Sequence, residues 1–181
     1  MKVLVITGGA SSERKISLIS AKEVKKGLES IGHKVKLFDL KKGYTKLKKI
    51  IKKFDLIFPV LHGEEGEGGS LQQFLKKSKV FFVGGNPKGY KQGWYKIPFK
   101  KFCDKNNIPT SVWKKIKNIK DIQKFGFPSV LKSSSGGSSK EVIILKSEKD
   151  LKKTKQLLKS KLPLFIERFL EGVEITVAIL G

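Results

Sequence analysis

The sequence predicts an α/β fold: an N-terminal parallel open sheet followed by an α+β block. Three observations lead there. Short β-branched apolar runs alternate with stretches of helical spacing through the first half of the chain. From about Lys88 that alternation gives way to neighbouring strands joined by glycine- and serine-rich sequence. A chain of 181 residues with 39% hydrophobic content can also bury a real core, in one large domain or two small ones.

The elements follow in order. Residues 2–7 form a buried strand, and Gly8-Gly9-Ala10-Ser11-Ser12-Glu13-Arg14 turns into a helix. Ala21, Val24, Leu28 and Ile31 recur at three- and four-residue spacing, and Gly32 ends that helix. Residues 35–40 make a second strand, and Leu47, Ile50 and Ile51 mark a short helix. Residues 55–61 make a third strand that runs into His62-Gly63. A glycine-rich loop precedes a helix marked by Leu71, Phe74 and Leu75. Residues 80–83 read as a fourth strand, closed by Gly84-Gly85-Asn86-Pro87. In such sheets ligands bind at the carboxyl ends of the strands, where Thr7-Gly8-Gly9 and His62-Gly63 sit.

The second block opens with a helix over 96–105 and a strand over 112–116. A short helix at 119–122 leads to two strands, 127–131 and 142–145, around Lys132-Ser133-Ser134-Ser135-Gly136-Gly137-Ser138-Ser139. That loop, with a lysine at its mouth, offers N–H groups and hydroxyls to an anion such as a nucleotide phosphate; a turn that binds nothing is the competing reading. Ser147 reads as a helix N-cap with Asp150 three places on, and Leu151, Leu157 and Leu158 support the helix. Residues 164–167 and 173–180 close the chain as strands. The last of these stops at Gly181 without a cap or tail, which raises the expectation of a fragment or truncated product.

A formal net charge of +23 would put nucleic acid first among partners. Only Arg14 and Arg168 are arginines, however, and the lysines are spread through nearly every segment. Arginine is the residue suited to bidentate phosphate and guanine contacts. The lysines therefore read as solvated surface with weak, salt-sensitive affinity for polyanions and no specific nucleic acid. No apolar run reaches the roughly 18–20 residues that span a bilayer. One cysteine, Cys103, excludes an internal disulfide, and a reducing cytoplasm is the simplest setting.

Two further motifs carry chemistry. Glu13 is an acidic group at a helix start; it either complements the helix dipole or holds a cationic ligand. His62-Gly63-Glu64-Glu65-Gly66-Glu67-Gly68-Gly69 puts a histidine beside a flexible acidic loop, with spacing too loose for a metal site. A histidine that orients a carboxylate ligand and a plain surface loop are both open readings.

Taken in order, these motifs resemble those of the D-alanine–D-alanine ligases of the ATP-grasp superfamily. The matching stretches are residues 8–18 (GGASSERKISL), 62–72 (HGEEGEGGSLQ), 127–139 (FPSVLK through GGSS) and 165–181 (FIERFLEGVEITVAILG). The resemblance implies a Rossmann-like, pre-ATP-grasp substrate domain over 1–87, a central ATP-grasp subdomain over 88–165, and the start of a C-terminal ATP-grasp domain over 166–181. It implies ATP and magnesium as cofactors, D-alanine as substrate, peptidoglycan synthesis as the setting, and a homodimer as the common assembly. It implies that Glu13 binds the ammonium of the first D-alanine and His62 its carboxylate. Lys96 and Lys132 would contact ATP phosphates, and Ser138 would close over them toward Glu13. Glu167 would accept from the adenine amino group, Arg168 and Leu170 would line the base, and Glu174 would hold the ribose.

The departures are specific. Glu67-Gly68-Gly69 stands where the family has Glu-Asp-Gly, and Tyr95-Lys96 where it has Asp-Lys, which leaves Lys100 as an alternative to Lys96. Ser133 replaces a proline, Gly136 a glutamate and Glu141 a glycine. In the family the magnesium ligands come from the C-terminal portion, beyond Gly181, as do an arginine and a tyrosine of the site. These 181 residues are therefore expected to be inactive alone. The readings carried beside the ligase are another ATP-grasp carboxylate–amine ligase, a nucleotide-binding remnant, and a lysine-rich nucleic-acid-binding protein.

Overall fold

A computed structural model describes residues 1–136 and 141–177. The chain divides into two compact units, Met1–Phe99 and Lys100–Gly181.

The first unit is built on a three-stranded parallel sheet in the order β2-β1-β3, from β1 (Lys2–Thr7), β2 (Lys34–Asp39) and β3 (Leu56–Pro59). Because side chains alternate along a strand, β1 feeds two cores. Leu4 and Ile6 pack with Leu47 of α2 (Tyr44–Ile50) and with Leu71 and Leu75 of α4 (Ser70–Lys77). Val3 and Val5 pack on the other face against Ala21, Val24 and Leu28 of α1 (Arg14–Ser30). Helices on both faces of a parallel sheet are the predicted architecture, and the loops after β1 and β3 leave from the same edge.

The unit departs from expectation in four places. The third strand is shorter than 55–61. Residues 80–83 form no strand; a single parallel bridge joins Phe82 to Ile57. Phe81 is 82% exposed, so this apolar run has no second layer to hold it as a full strand. The loop after His62 contains a helical turn, α3 (Glu64–Glu67). An unpredicted helix, α5 (Pro87–Trp94), starts where Asn86 caps it by accepting from the Lys88 N–H at 3.0 Å and where proline occupies the first turn. Helix α6 (Lys96–Lys105) follows as expected.

The second unit is a four-stranded antiparallel sheet in the order β4-β7-β5-β6, from β4 (Trp113–Ile116), β5 (Ser129–Ser133), β6 (Val142–Leu145) and β7 (Leu164–Arg168). Its register assigns the two faces. Leu131 pairs with Ile166, and both join Ile116, Leu145 and Leu164 in a core with Ile122 of α7 (Ile119–Phe125) and Leu157 of α8 (Lys155–Lys159). Val130 pairs with Glu167 and with Ile144, and Lys132 with Val142, which gives the opposite face. Lys132 therefore lies within β5 and not at the mouth of a loop.

The helix expected after Ser147 is a 3-10 segment, Glu148–Thr154, continued by α8. Asp150 accepts there from the Lys146 and Ser147 N–H groups at 2.9 and 3.2 Å. The final predicted strand, 173–180, is not formed over 173–177, which are exposed; its remainder lies outside the described residues.

Candidate functional site

In the first unit, the carboxyl ends of β1 and β3 hold a tightly bonded turn. Ser17 ties them together: its hydroxyl accepts from the Gly8 N–H at 2.9 Å and donates to the Val60 carbonyl at 2.5 Å. The Ser11 hydroxyl donates to the His62 carbonyl at 2.9 Å and accepts from the Glu13 N–H at 3.2 Å. A Cβ on Gly63 would sit 3.6 Å from Glu13 Oε2 and 2.8 Å from Ser11 Cβ, so only glycine lets the two loops approach so closely. Glu13 and the His62 loop, distant in sequence, thus share one corner. Half-buried His62 has its Nε2 buried with no hydrogen-bond partner among the described residues, which suits a ligand group arriving there.

The acidic loop is not the flexible segment its sequence suggested. Glu65 accepts from the Ala10 N–H at 2.6 Å, and Glu67 from the Gly63 N–H at 2.6 Å. Glu64 accepts from the Tyr95 hydroxyl at 2.6 Å, and Gln72 donates to the Gly66 carbonyl at 2.6 Å. These contacts rigidify the corner around Glu13 and His62.

Sequence reasoning missed the pair that fixes the first turn. The Arg14 guanidinium grips both oxygens of Asp39 and donates to the Gly9 carbonyl at 2.9 Å. Asp39 also accepts from the N–H groups of Gly9 and Lys41. The hydrogen bond from Arg14 holds the Asp39 carboxyl far below the usual carboxylate range, against a smaller opposing effect of burial.

In the second unit, the sheet face opposite the core opens into a cavity of about 500 Å³. Val130, Val142, Ile144, Phe169 and Leu170 give it apolar walls. Lys132, Glu167, Arg168 and Glu174 supply its charged groups. An apolar slot with a few convergent polar groups is the form of a small-molecule site. Five residues expected to meet ATP, namely Lys132, Glu167, Arg168, Leu170 and Glu174, line this one cavity.

Glu167, 8% exposed, is held between two ammonium groups. Lys132 pairs with its Oε1, and Lys100 Nζ lies 2.5 Å from its Oε2. Burial pushes the Glu167 carboxyl up, but hydrogen bonds from Lys100 and Lys132 outweigh it and leave the group below its ordinary range. Lys96 falls within the first unit; Lys100, the alternative register, reaches this cluster from α6. Ser138 lies outside the described residues. Glu141, which stands in place of a glycine, has its carboxylate against Gly136, where a Cβ would collide with its Oε2.

Among the described residues no three His, Cys, Asp or Glu side chains converge on one point. The described residues do not by themselves make a magnesium cage. Nor, among them, is any helix long and apolar enough to cross a membrane.

Residues 93–181 match the family model described as the D-ala D-ala ligase C-terminus. A D-alanine–D-alanine ligase of Thermotoga petrophila is 34% identical over 99% of this chain, and one of Clostridium botulinum is 34% identical over all of it. The chain spans only 59% and 62% of those relatives' own lengths. Among solved structures, the D-alanine–D-alanine ligase of Bacillus anthracis superposes with a TM-score of 0.83 at 28% identity, covering 95% of this chain and 58% of that one. A Bacillus anthracis D-alanine–D-alanine ligase complexed with ATP gives 0.79 at 25% identity, covering 95% of this chain and 60% of that one. By sequence and by fold, the chain is similar to D-alanine–D-alanine ligases along nearly all of its own length.

Proposed function

We propose that these residues supply the nucleotide pocket and the first-substrate corner of an ATP-dependent ligase that joins two D-alanines for peptidoglycan synthesis. The observation that carries this reading is the cavity on the open face of the second sheet, where Lys132, Glu167, Arg168, Leu170 and Glu174 meet. Adenine would lie between Val130, Ile144 and Leu170, and its amino group would donate to Glu167. Glu174 would accept from the ribose hydroxyls. Lys132 would neutralise phosphate charge, which is the main service a protein renders to phosphoryl transfer. Lys96 and Ser138 would join it on the phosphates.

In the first unit, Glu13 would hold the ammonium of one D-alanine while His62 meets its carboxylate. That carboxylate would attack the γ-phosphorus and expel ADP, giving an acyl phosphate. The amine of the second D-alanine would then attack the acyl carbon, with phosphate leaving. Magnesium would accompany ATP and screen phosphate charge, its ligands lying outside the described residues. Homodimeric assembly, a cytoplasmic setting and the division at residues 87 and 165 belong to the same proposal.

Calorimetric titration with a non-hydrolysable ATP analogue tests the reading. We expect saturable one-to-one binding that Lys132→Ala weakens about tenfold or more, as loss of a charge-assisted contact implies. Equal binding by both proteins would refute it. The 181 residues alone are expected to form no dipeptide from ATP, magnesium and D-alanine; sustained, contaminant-free turnover would contradict that part.

A further inference from the structure

We propose that Lys100 is a positioning residue of the nucleotide cavity: it holds the Glu167 carboxylate as an ionised acceptor and thereby sets the preference for a base that bears an amino group. This rests on the nucleotide reading above.

The two lysines on Glu167 are not equivalent. The Lys100 side chain is 10% exposed, and its ammonium meets three acceptors: Glu167 Oε2 at 2.5 Å, Thr110 Oγ1 at 2.6 Å and the Ser111 carbonyl at 3.3 Å. An ammonium has three donors, so Lys100 has none left for a ligand. It does not line the cavity. The Lys132 side chain is 28% exposed, lines the cavity and leans on the other oxygen of Glu167.

An incoming phosphate competes for Lys132. When it draws that ammonium away, Oε1 of Glu167 becomes available to accept from the ligand, while Oε2 stays anchored. Without Lys100 the same event would strand a buried carboxylate, bounded on its strand neighbours by Val130 and Trp113. Such a group regains stability by taking up a proton or by following Lys132. Either change removes a fixed acceptor. An acceptor here favours adenine, with its exocyclic amine, over hypoxanthine, which presents a carbonyl at the same position. The division of labour is therefore one lysine that anchors and one that works. The other charged groups facing this cavity are Arg168, Glu171 and Glu174.

The test compares the affinities of non-hydrolysable ATP and ITP analogues for the chain and its variants. In Lys100→Met, with circular dichroism unchanged, the ratio of ATP to ITP affinity should fall about tenfold or more. In Thr110→Val, which keeps the charge but removes one anchor, it should fall less. Adding Lys100→Met to Glu167→Gln should lower the ratio no further, since the lysine acts through that carboxylate. Equal weakening of both nucleotides, with the ratio preserved, would overturn the proposal. Should Lys100→Met fail to fold, an unchanged ratio in Thr110→Val would overturn it. If the unaltered chain binds neither nucleotide, the nucleotide reading itself fails and takes this inference with it.

Discussion

At the scale of single residues, the determining contacts are charges brought together from distant parts of the chain. Asp39 ends β2 and Arg14 opens α1, and their pairing locks the Gly8-Gly9 turn. Neither residue announces the other in the sequence, because the contact exists only once two parallel strands have aligned. The same holds for Lys100 and Glu167. By contrast, Glu13, His62, Lys132 and Glu167 stand out in the sequence itself, because each sits in a run whose residue types suit the role proposed for it. Asp39 carries a consequence for pH. Its carboxyl is lowered in the folded chain, so the unfolded chain binds the extra proton as acid is added. The stabilisation it gives is present above the ordinary carboxylate range, about 4, and is lost as pH falls below it. Asp121 and Asp150 shift in the same direction. Urea midpoints measured from pH 7 to pH 3 should therefore fall more steeply for the unaltered chain than for Asp39→Asn, and the two should converge in acid. Parallel curves would show that the Arg14 pair contributes nothing.

At the scale of elements, local pattern was a good guide where it was strong. The β-branched run of β1 and the spacing of Ala21, Val24 and Leu28 reappear as strand and helix. The hairpin of β5 and β6 also forms, with its strand extended through Lys132. That extension matters, because it moves the lysine from a loop onto the open face of a rigid sheet. Pattern failed where tertiary context decides. Residues 80–83 have the composition of a strand but reach only one bridge. Helix α5 escaped notice because Gly89 and Gly93 dilute its helical character, although Asn86-Pro87 is a start signal. Helix α7 carries a comparable signal: Asn118 accepts from the Asp121 N–H at 3.2 Å, and Asp121 accepts back from the Asn118 N–H at 3.2 Å. Replacing Asn118 by alanine should cost about 1 kcal/mol in chemical denaturation. No loss would mean that core packing through Ile122 alone holds the helix.

At the scale of the whole molecule, the proposed chemistry divides between two units. Under that proposal the first would bind at the ends of a parallel sheet, the second on the open face of an antiparallel one. The net charge of +23 bears on neither site directly. It is spread over the surface, while the candidate nucleotide pocket relies on Lys132 and Glu167 set among apolar walls. The cavity of the second unit is proposed to receive ATP, and chemical-shift mapping of the isotopically labelled chain with a non-hydrolysable ATP analogue puts that to the test. Saturable shifts are expected, concentrated at Val130, Lys132, Ile144, Glu167 and Leu170. Shifts scattered over surface lysines, or none in that cavity, would contradict the proposal.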